Sequence, residues 1–201
     1  MKIMPSFRTN TPARRNITTA VASYSDHKPD LKIDFESRCG YCNASDAWKT
    51  TFYEVDHFIP YKRNKVVFLT IKLVTDYSNL VYSCRSCNNA KRNKWPTNDQ
   101  NIPNRNNEGF IDPCDAAYSS HFARSANGKI EYVTNLGEWM YNALHLHKPH
   151  HEVIWNLEQL EPIVEQIVAL YESAAIPNHL KDAIIGVMVK YHNYHKQLRS
   201  L

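Results

Sequence analysis

Two pairs of cysteines, each separated by two residues, are the first feature of the sequence that could do chemistry. The pairs are Cys39 with Cys42 and Cys84 with Cys87. Four thiolates arranged in this way suit a tetrahedral Zn²⁺ whose coordination is completed by protein alone, so such a site stabilises a fold and does not catalyse. A redox dithiol needs only one pair. We therefore predict a structural zinc site, and we expect the separate Cys114 to be a small buried hydrophobic residue.

Polar residues suited to hydrolysis lie between the cysteine pairs and directly after them. The segments are Glu54-Val55-Asp56-His57-Phe58-Ile59-Pro60, Ser78-Asn79-Leu80-Val81 and Cys87-Asn88-Asn89-Ala90-Lys91. A histidine has a reference pKa of about 6.5 and can accept a proton from water near neutral pH. A carboxylate beside an amide offers hard oxygen ligands, which favour Mg²⁺ or Mn²⁺ over zinc. The segments therefore contain a group that can accept a proton and groups that can bind a hard cation.

The order of these segments, interleaved with the cysteine pairs, resembles the pattern of the HNH endonuclease family. That pattern has an Asp-His followed by a proline, an Asn-Leu before the second cysteine pair, and a His or Asn directly after the last cysteine with a lysine three residues later. The resemblance covers residues 38 to about 95. It implies a zinc-bound ββα-metal core and an endonuclease that hydrolyses phosphodiester bonds in DNA, leaving 5′-phosphate and 3′-hydroxyl ends.

The resemblance also implies a role for each polar residue. His57 would be the general base, and Asp56 would be a ligand of the catalytic metal ion. Asn79 would hold the loop and the ring of His57 in place. Asn88 stands where many family members carry a histidine and would be the second ligand of Mg²⁺ or Mn²⁺, with Asn89 as the alternative ligand.

Basic residues surround these segments. Between residues 61 and 95 the only acidic residue is Asp76, whereas the basic residues are Lys62, Arg63, Lys65, Lys72, Arg85, Lys91, Arg92 and Lys94. We expect Lys91 to contact a phosphate of bound DNA. General contacts with the nucleic-acid backbone are expected from Arg85, Arg92 and Lys94, although a solvated helix face is the alternative for each. Glu54 is expected to pair with a basic neighbour, with an auxiliary metal ligand as the alternative.

Composition divides the chain into three segments of an α+β protein. Residues 1–37 are expected to form an N-terminal arm, residues 38–107 the zinc-bound nuclease module, and residues 108–201 a hairpin and helical extension. Within the extension, Asn127-Gly128 predicts a tight hairpin turn with two positive-φ positions, inside residues 121–134. Apolar periodicity predicts helices over 136–146, 152–171 and 178–199, and Pro162 should kink or delimit the second helix.

The helical extension differs in charge from the nuclease module. Residues 151–172 contain five glutamates and neither lysine nor arginine. A polyanion such as DNA should avoid this surface. We therefore expect the extension to bind a protein partner, such as an ATPase, or a second copy of the chain.

Several classes of protein remain compatible with these patterns. The chain has neither an apolar stretch long enough to span a membrane nor a secretory signal, which favours a cytoplasmic location without membrane contact. A short nuclease without a recognisable target-recognition domain is similar to the nuclease subunits of two-component anti-phage systems such as the Septu type. A restriction-like nuclease and a toxin use the same chemistry. The alternative from another class is a non-catalytic zinc ribbon that binds nucleic acid.

Overall fold

The computed structural model describes residues 5–48, 52–173 and 176–201. It confirms an α+β fold. The helices are α1 (Lys28–Asp34), α2 (Arg85–Lys91), α3 (Asn135–Ala143), α4 (Pro149–Glu172) and α5 (Lys181–Ser200). The strands are β1 (Tyr53–His57), β2 (Lys62–Arg63), β3 (Val66–Val67), β4 (Leu80–Cys84), β5 (Asn104–Arg105), β6 (Glu108–Gly109), β7 (Phe122–Arg124) and β8 (Ile130–Tyr132). Among the described helices, none combines the length and the apolar composition needed to cross a membrane.

The centre of the fold is a ββα unit formed by β1, β4 and α2. The two strands pair antiparallel, with Tyr53 opposite Cys84 and His57 opposite Leu80. Every residue of β4 is buried, as its run of branched, aromatic and small side chains would favour. Helix α2 begins directly after β4, with Cys84 as its N-cap, and packs on both strands. One short segment of chain therefore carries the second cysteine pair and the start of the helix.

The N-terminal arm contributes to the hydrophobic core. Phe7, Leu31 and Phe35 are buried in it, and the Arg8 guanidinium donates to the carbonyl oxygens of Gly40 and Pro113. Residues 8–22 form neither a helix nor a strand, whereas α1 was not predicted from the sequence. A capping box at Ser23 starts the 3₁₀ helix Tyr24–His27, which leads into α1. The division into three segments stays a prediction, since all three supply side chains to one core.

The predicted hairpin and helices of the extension are confirmed, with two corrections. Strands β7 and β8 pair across residues 125–129, and only Gly128 of the Asn127-Gly128 pair has a positive φ. The turn is thus longer than the tight turn expected, with a hydrogen bond from the Gly128 amide to the Ser125 carbonyl. Pro162 lies inside α4, which continues past it. Pro149 lies in the first turn of α4, where proline is compatible with a helix, and follows the end of α3 at Ala143.

Helices α4 and α5 form an antiparallel pair joined by residues 173–180. The first turns of α4 are anchored in the core by Val153, Ile154 and Leu157, which are buried. Leu198, near the end of α5, packs against the same core. Throughout α5, all of whose residues the structure describes, no side chain is buried. The distal part of this helix pair therefore projects away from the nuclease module.

Candidate active site

The four paired cysteines form a buried cluster. Their sulfur atoms all lie within 4.8 Å of one another, and all five cysteines of the chain are free thiols. Zinc–sulfur bonds of about 2.3 Å in a tetrahedron require sulfur atoms about 3.8 Å apart. The Sγ atoms of Cys42 and Cys84 are 3.9 Å apart. Burial and the neighbouring Cys39 raise the pKa of Cys42 well above its ordinary value, which disfavours a second thiolate beside Cys39 unless a cation is bound. The site therefore fits a structural Zn²⁺.

His57 ends strand β1, and one hydrogen bond fixes its ring. Its Nε2 atom lies 2.7 Å from the carbonyl oxygen of Val74. Because a carbonyl only accepts, Nε2 carries the hydrogen and the lone pair of the neutral ring is on Nδ1. The ring of Tyr24 packs edge-on against the imidazole at 4.6 Å between centroids. Burial lowers the pKa of His57, and the bond to Val74 opposes this shift only in part.

Asn79 clamps the loop that follows His57. Its Oδ1 atom accepts from the Ile59 amide at 2.9 Å, and its Nδ2 atom donates to the Ile59 carbonyl at 3.1 Å. The Asn79 carbonyl also accepts from the Phe58 amide. Asn79 itself ends the 3₁₀ helix Tyr77–Asn79, which the Asp76 carboxylate caps. The structure thus brings Asn79 to the loop, whereas the ring of His57 is held by Val74.

Asp56 is buried beneath α2, where two groups share one of its oxygen atoms. The Tyr41 hydroxyl donates to Oδ2 at 2.5 Å, and the Lys91 ammonium lies 3.0 Å from the same atom. Lys91 also donates to the His57 carbonyl at 2.7 Å. Because both contacts with Asp56 use Oδ2, the lone pairs of Oδ1 are not engaged by either group. That oxygen is suited to hold a hard cation.

Asn88 lies on the same side of α2 as Lys91 and faces the same side of β1 as Asp56. Its Nδ2 atom donates to Glu54 Oε2 at 2.7 Å. This bond uses the amide nitrogen, so the amide oxygen is not part of it. Arg85 lies 3.5 Å from the other Glu54 oxygen. Glu54 therefore pairs with a basic neighbour, as expected, and also orients Asn88.

The four expected phosphate-binding cations occupy different environments. Arg85 and Arg92 are exposed on α2 and directly after it. Lys91 is completely buried, so in this structure its ammonium binds the strand and not a solvent-facing anion. The ammonium of Lys94 is half-buried and donates to the carbonyl oxygens of Ala90 and Ala143, which ties α2 to α3. Burial lowers the pKa of Lys94. Of these four cations, the two arginines are thus the exposed ones.

Three groups that touch the candidate site were not expected from the sequence. Tyr41 lies between the first two cysteines, where a hydroxyl carried by a zinc knuckle could have suggested a polar partner. Tyr24 belongs to the N-terminal arm, and only the capping box at Ser23 marks that segment as ordered. Val74 acts through its backbone carbonyl, for which the side-chain sequence gives no signal.

Comparisons with known proteins bear on residues 39–94. That stretch matches the family model described as HNH endonuclease. A search of the curated proteins and a search of the solved structures each gave no match. The matched stretch contains both cysteine pairs, the hairpin of β1 with β4, and α2. Residues 39–94 are therefore an HNH endonuclease domain of the zinc-knuckle type, set within a longer α+β chain.

Proposed function

We propose that this chain is an endonuclease that uses a divalent metal ion to hydrolyse phosphodiester bonds in DNA, with His57 as the general base. The observation that carries the proposal is the hydrogen bond from His57 Nε2 to the Val74 carbonyl. It fixes the ring orientation and leaves the basic Nδ1 atom free for a water molecule.

The environment of His57 suits proton transfer. Its lowered pKa keeps the imidazole neutral at neutral pH, so the ring can accept a proton without first losing one. His57 as a whole is only 9% exposed, so its side chain is largely shielded from bulk water. In the proposed reaction, His57 Nδ1 accepts the proton of a water molecule as that water attacks phosphorus.

Asp56 and Asn88 are proposed to hold the catalytic metal ion. Their available atoms are hard oxygens, Oδ1 of the carboxylate and the amide oxygen, which fit Mg²⁺ or Mn²⁺. When bound, such a cation stabilises negative charge on the phosphoryl and leaving oxygens. The surrounding residues orient both ligands: Tyr41 and Lys91 hold the other oxygen of Asp56, and Glu54 holds the amide nitrogen of Asn88.

Lys91 is proposed to position the reacting groups, which replaces the phosphate contact expected from the sequence. It joins the carboxylate of one proposed metal ligand to the backbone of the proposed base. The exposed Arg85 and Arg92 are proposed to bind the DNA backbone, because their guanidinium groups lie next to α2 and face solvent. Action against phage DNA together with an ATPase partner, and a location in the cytoplasm, stay predictions of the sequence.

A zinc ribbon that binds nucleic acid without cutting it is the competing function. Such a protein needs the cysteines and the basic surface, but it has no use for a buried carboxylate and an oriented imidazole on consecutive residues. Burying Asp56 with its counter-charge is energetically demanding. The polar cluster around β1 and α2 therefore favours the nuclease.

A plasmid assay separates the two functions. Purified protein is incubated with supercoiled plasmid in Mg²⁺ or Mn²⁺, with EDTA as the metal-free control, and Asn88→Ala is compared with Asn89→Ala. We expect nicking or linearisation that EDTA abolishes and that Asn88→Ala reduces at least tenfold. The neighbouring Asn89 is exposed, so Asn89→Ala should leave the cleavage rate within a factor of about three of the wild type. Retarded but uncut plasmid at every metal concentration would support the binding module and refute the nuclease.

A further inference from the structure

The distal part of the α4 and α5 pair is held together by half-buried side chains only. We define the hairpin seam by the following half-buried residues of this pair: Leu160, Val164 and Ile167 on α4, and Ile184, Val187, Tyr191, Tyr194, His195 and Leu198 on α5. Two helices packed in isolation can cover one stripe on each, and a stable bundle requires further apolar cover. The surfaces beside the seam are therefore candidates for contact with another molecule.

One side of the helix pair differs from the other in its chemistry. The exposed residues one position after the seam residues are Glu161, Glu165 and Val168 on α4, and Ile185, Met188, His192, Lys196 and Arg199 on α5. His195, which follows Tyr194, is half-buried and packs against Trp48. Because the helices are right-handed and antiparallel, the exposed positions fall on the same side of the pair, which we call the charged face. Residues one position before the seam carry Lys190 as their only charged member.

The charged face has an acidic row and a basic row. The acidic row on α4 contains Glu161 and Glu165, and the basic row on α5 contains Lys196 and Arg199 together with His192. None of the ion pairs formed within residues 5–48, 52–173 and 176–201 engages these carboxylates or ammonium groups. By contrast, Glu158 at the base of α4 already pairs with Arg38. The charges of the face are thus available to a partner.

The apolar residues of the face occupy the end of the hairpin away from the core. On α5, Ile185 is 59% exposed and Met188 is 39% exposed. On α4, Val168 is 44% exposed. Burial and the charges of Glu161 and Glu165 raise the pKa of Tyr191, which places these glutamates at the level of the middle of α5. Along the face, therefore, charged residues lie near the core and apolar residues lie near the hairpin loop.

This arrangement is complementary to itself. A twofold axis parallel to the helices would place α4 of one copy over α5 of the other copy at the same level. Acidic residues would then meet basic residues, and Val168 would meet Ile185 and Met188. A hairpin about 30 Å long with two helices spaced about 10 Å apart presents roughly 600 Å² of flat surface. Specific interfaces bury about 800 Å² of accessible surface per partner, which a face of this size can supply.

We propose that the charged face is the interface of a homodimer, in which the α4 and α5 helices of two copies form a four-helix bundle. The partner is a second copy of this chain because both rows of opposite charge and both apolar patches have their complements on the same face. Acidic rows alone would fit a basic partner, and apolar residues alone would fit many partners. If the proposed nuclease function holds, the dimer carries two active sites in one assembly.

Charge reversal tests the interface with the full-length protein. Molar mass is measured by sedimentation equilibrium at low salt for the wild type, for Lys196→Glu with Arg199→Glu, and for Glu161→Lys with Glu165→Lys. A fourth variant combines all four substitutions. We expect a wild-type mass of twice 23.4 kDa. Each single-row reversal should raise the dimer dissociation constant at least tenfold, and the combined variant should restore dimers.

Lys190→Glu is the matched control, because it changes an exposed lysine of α5 outside the charged face. It should leave the dissociation constant within a factor of about three. Circular dichroism confirms that each variant keeps its helices, and the combined variant tests the charges even if one single-row reversal misfolds. A monomeric wild type at about 100 µM would overturn the proposal. So would dimers that withstand both single-row reversals, or a Lys190→Glu effect as large as theirs.

Discussion

Replacing Lys91 with methionine tests the buried polar cluster between α2 and β1. Lys91 has no solvent exposure, and its ammonium pairs with Asp56 Oδ2 at 3.0 Å and donates to the His57 carbonyl at 2.7 Å. Methionine is also long and unbranched, so it can follow a similar path past Phe110, whose ring lies 5.7 Å from the ammonium. The substitution therefore removes a charge and two hydrogen-bonded contacts while keeping most of the volume.

The expected loss of stability depends on which contacts of Asp56 remain after Lys91 is replaced. Removing one partner of a buried ion pair costs about 3 to 5 kcal/mol, because an uncompensated charge is left behind. The Tyr41 hydroxyl still donates to Asp56 after the change, which favours the lower end of that range. We expect Lys91→Met to reduce the free energy of unfolding by about 3 kcal/mol. This is a large fraction of the roughly 5 to 15 kcal/mol of a typical domain.

Urea unfolding at a fixed free zinc concentration, followed by tryptophan fluorescence, measures this loss. The matched control is Lys91→Met combined with Asp56→Asn, which removes both charges and leaves a neutral amide for Tyr41. The double variant should recover most of the loss and lie within about 1 kcal/mol of the wild type. A loss below about 1 kcal/mol in the single variant would show that the pair does not hold α2 on β1. A double variant no more stable than the single one would contradict the charge argument.

Three further predictions concern the base, the zinc site and the DNA contacts. In a pH–rate profile, the cleavage rate should rise with pH through an inflection below 6.5 and then level off, because burial lowers the pKa of His57 and the proposed base must be neutral. Tyr24→Ala admits water to the His57 ring and should move this inflection to higher pH. Cys84→Ser should release zinc, detected by a colorimetric chelator, and should unfold the domain at moderate temperature, because metal binding and folding are coupled at such sites; a folded, zinc-free variant would contradict a structural role. Arg92→Gln should reduce the slope of log Kd against log salt by about one, in fluorescence anisotropy with labelled DNA. Lys94→Gln should instead lower the melting temperature and leave that slope unchanged, because its ammonium binds carbonyl groups of α2 and α3.

The sequence predicts the elements of this protein better than their contacts. Paired cysteines predicted the zinc cluster because the spacing and the chemistry of thiolates coincide. Apolar periodicity predicted the helices of the extension to within a few residues. The helix α1 was missed because its apolar residues are few and its strongest signal is a local cap. Its contribution to the core comes from contacts with distant segments, which no local pattern records.

The candidate site shows the same limit for individual side chains. The spacing of three residues between Asn88 and Lys91 places both on one side of α2, and in the structure both contact β1. It could not predict that this side faces β1, which turns Lys91 from a surface cation into a buried partner of Asp56. The bond from His57 to the Val74 carbonyl depends on how residues 58–79 fold back on the strand. A backbone acceptor of this kind has no sequence signature.

The assignment of His57 as the general base is tested most directly with the His57→Ala variant. Cleavage, Mn²⁺ binding and DNA binding are measured on one preparation of this protein. In the proposed mechanism the imidazole at residue 57 acts as a base and not as a metal ligand, so the variant should bind Mn²⁺ and labelled DNA with dissociation constants within a factor of about three of the wild type. Its single-turnover cleavage rate should fall by about 10² to 10⁴, the usual contribution of general base catalysis. Cleavage within tenfold of the wild-type rate by this folded, metal-bound variant would contradict the assignment of His57 as the base.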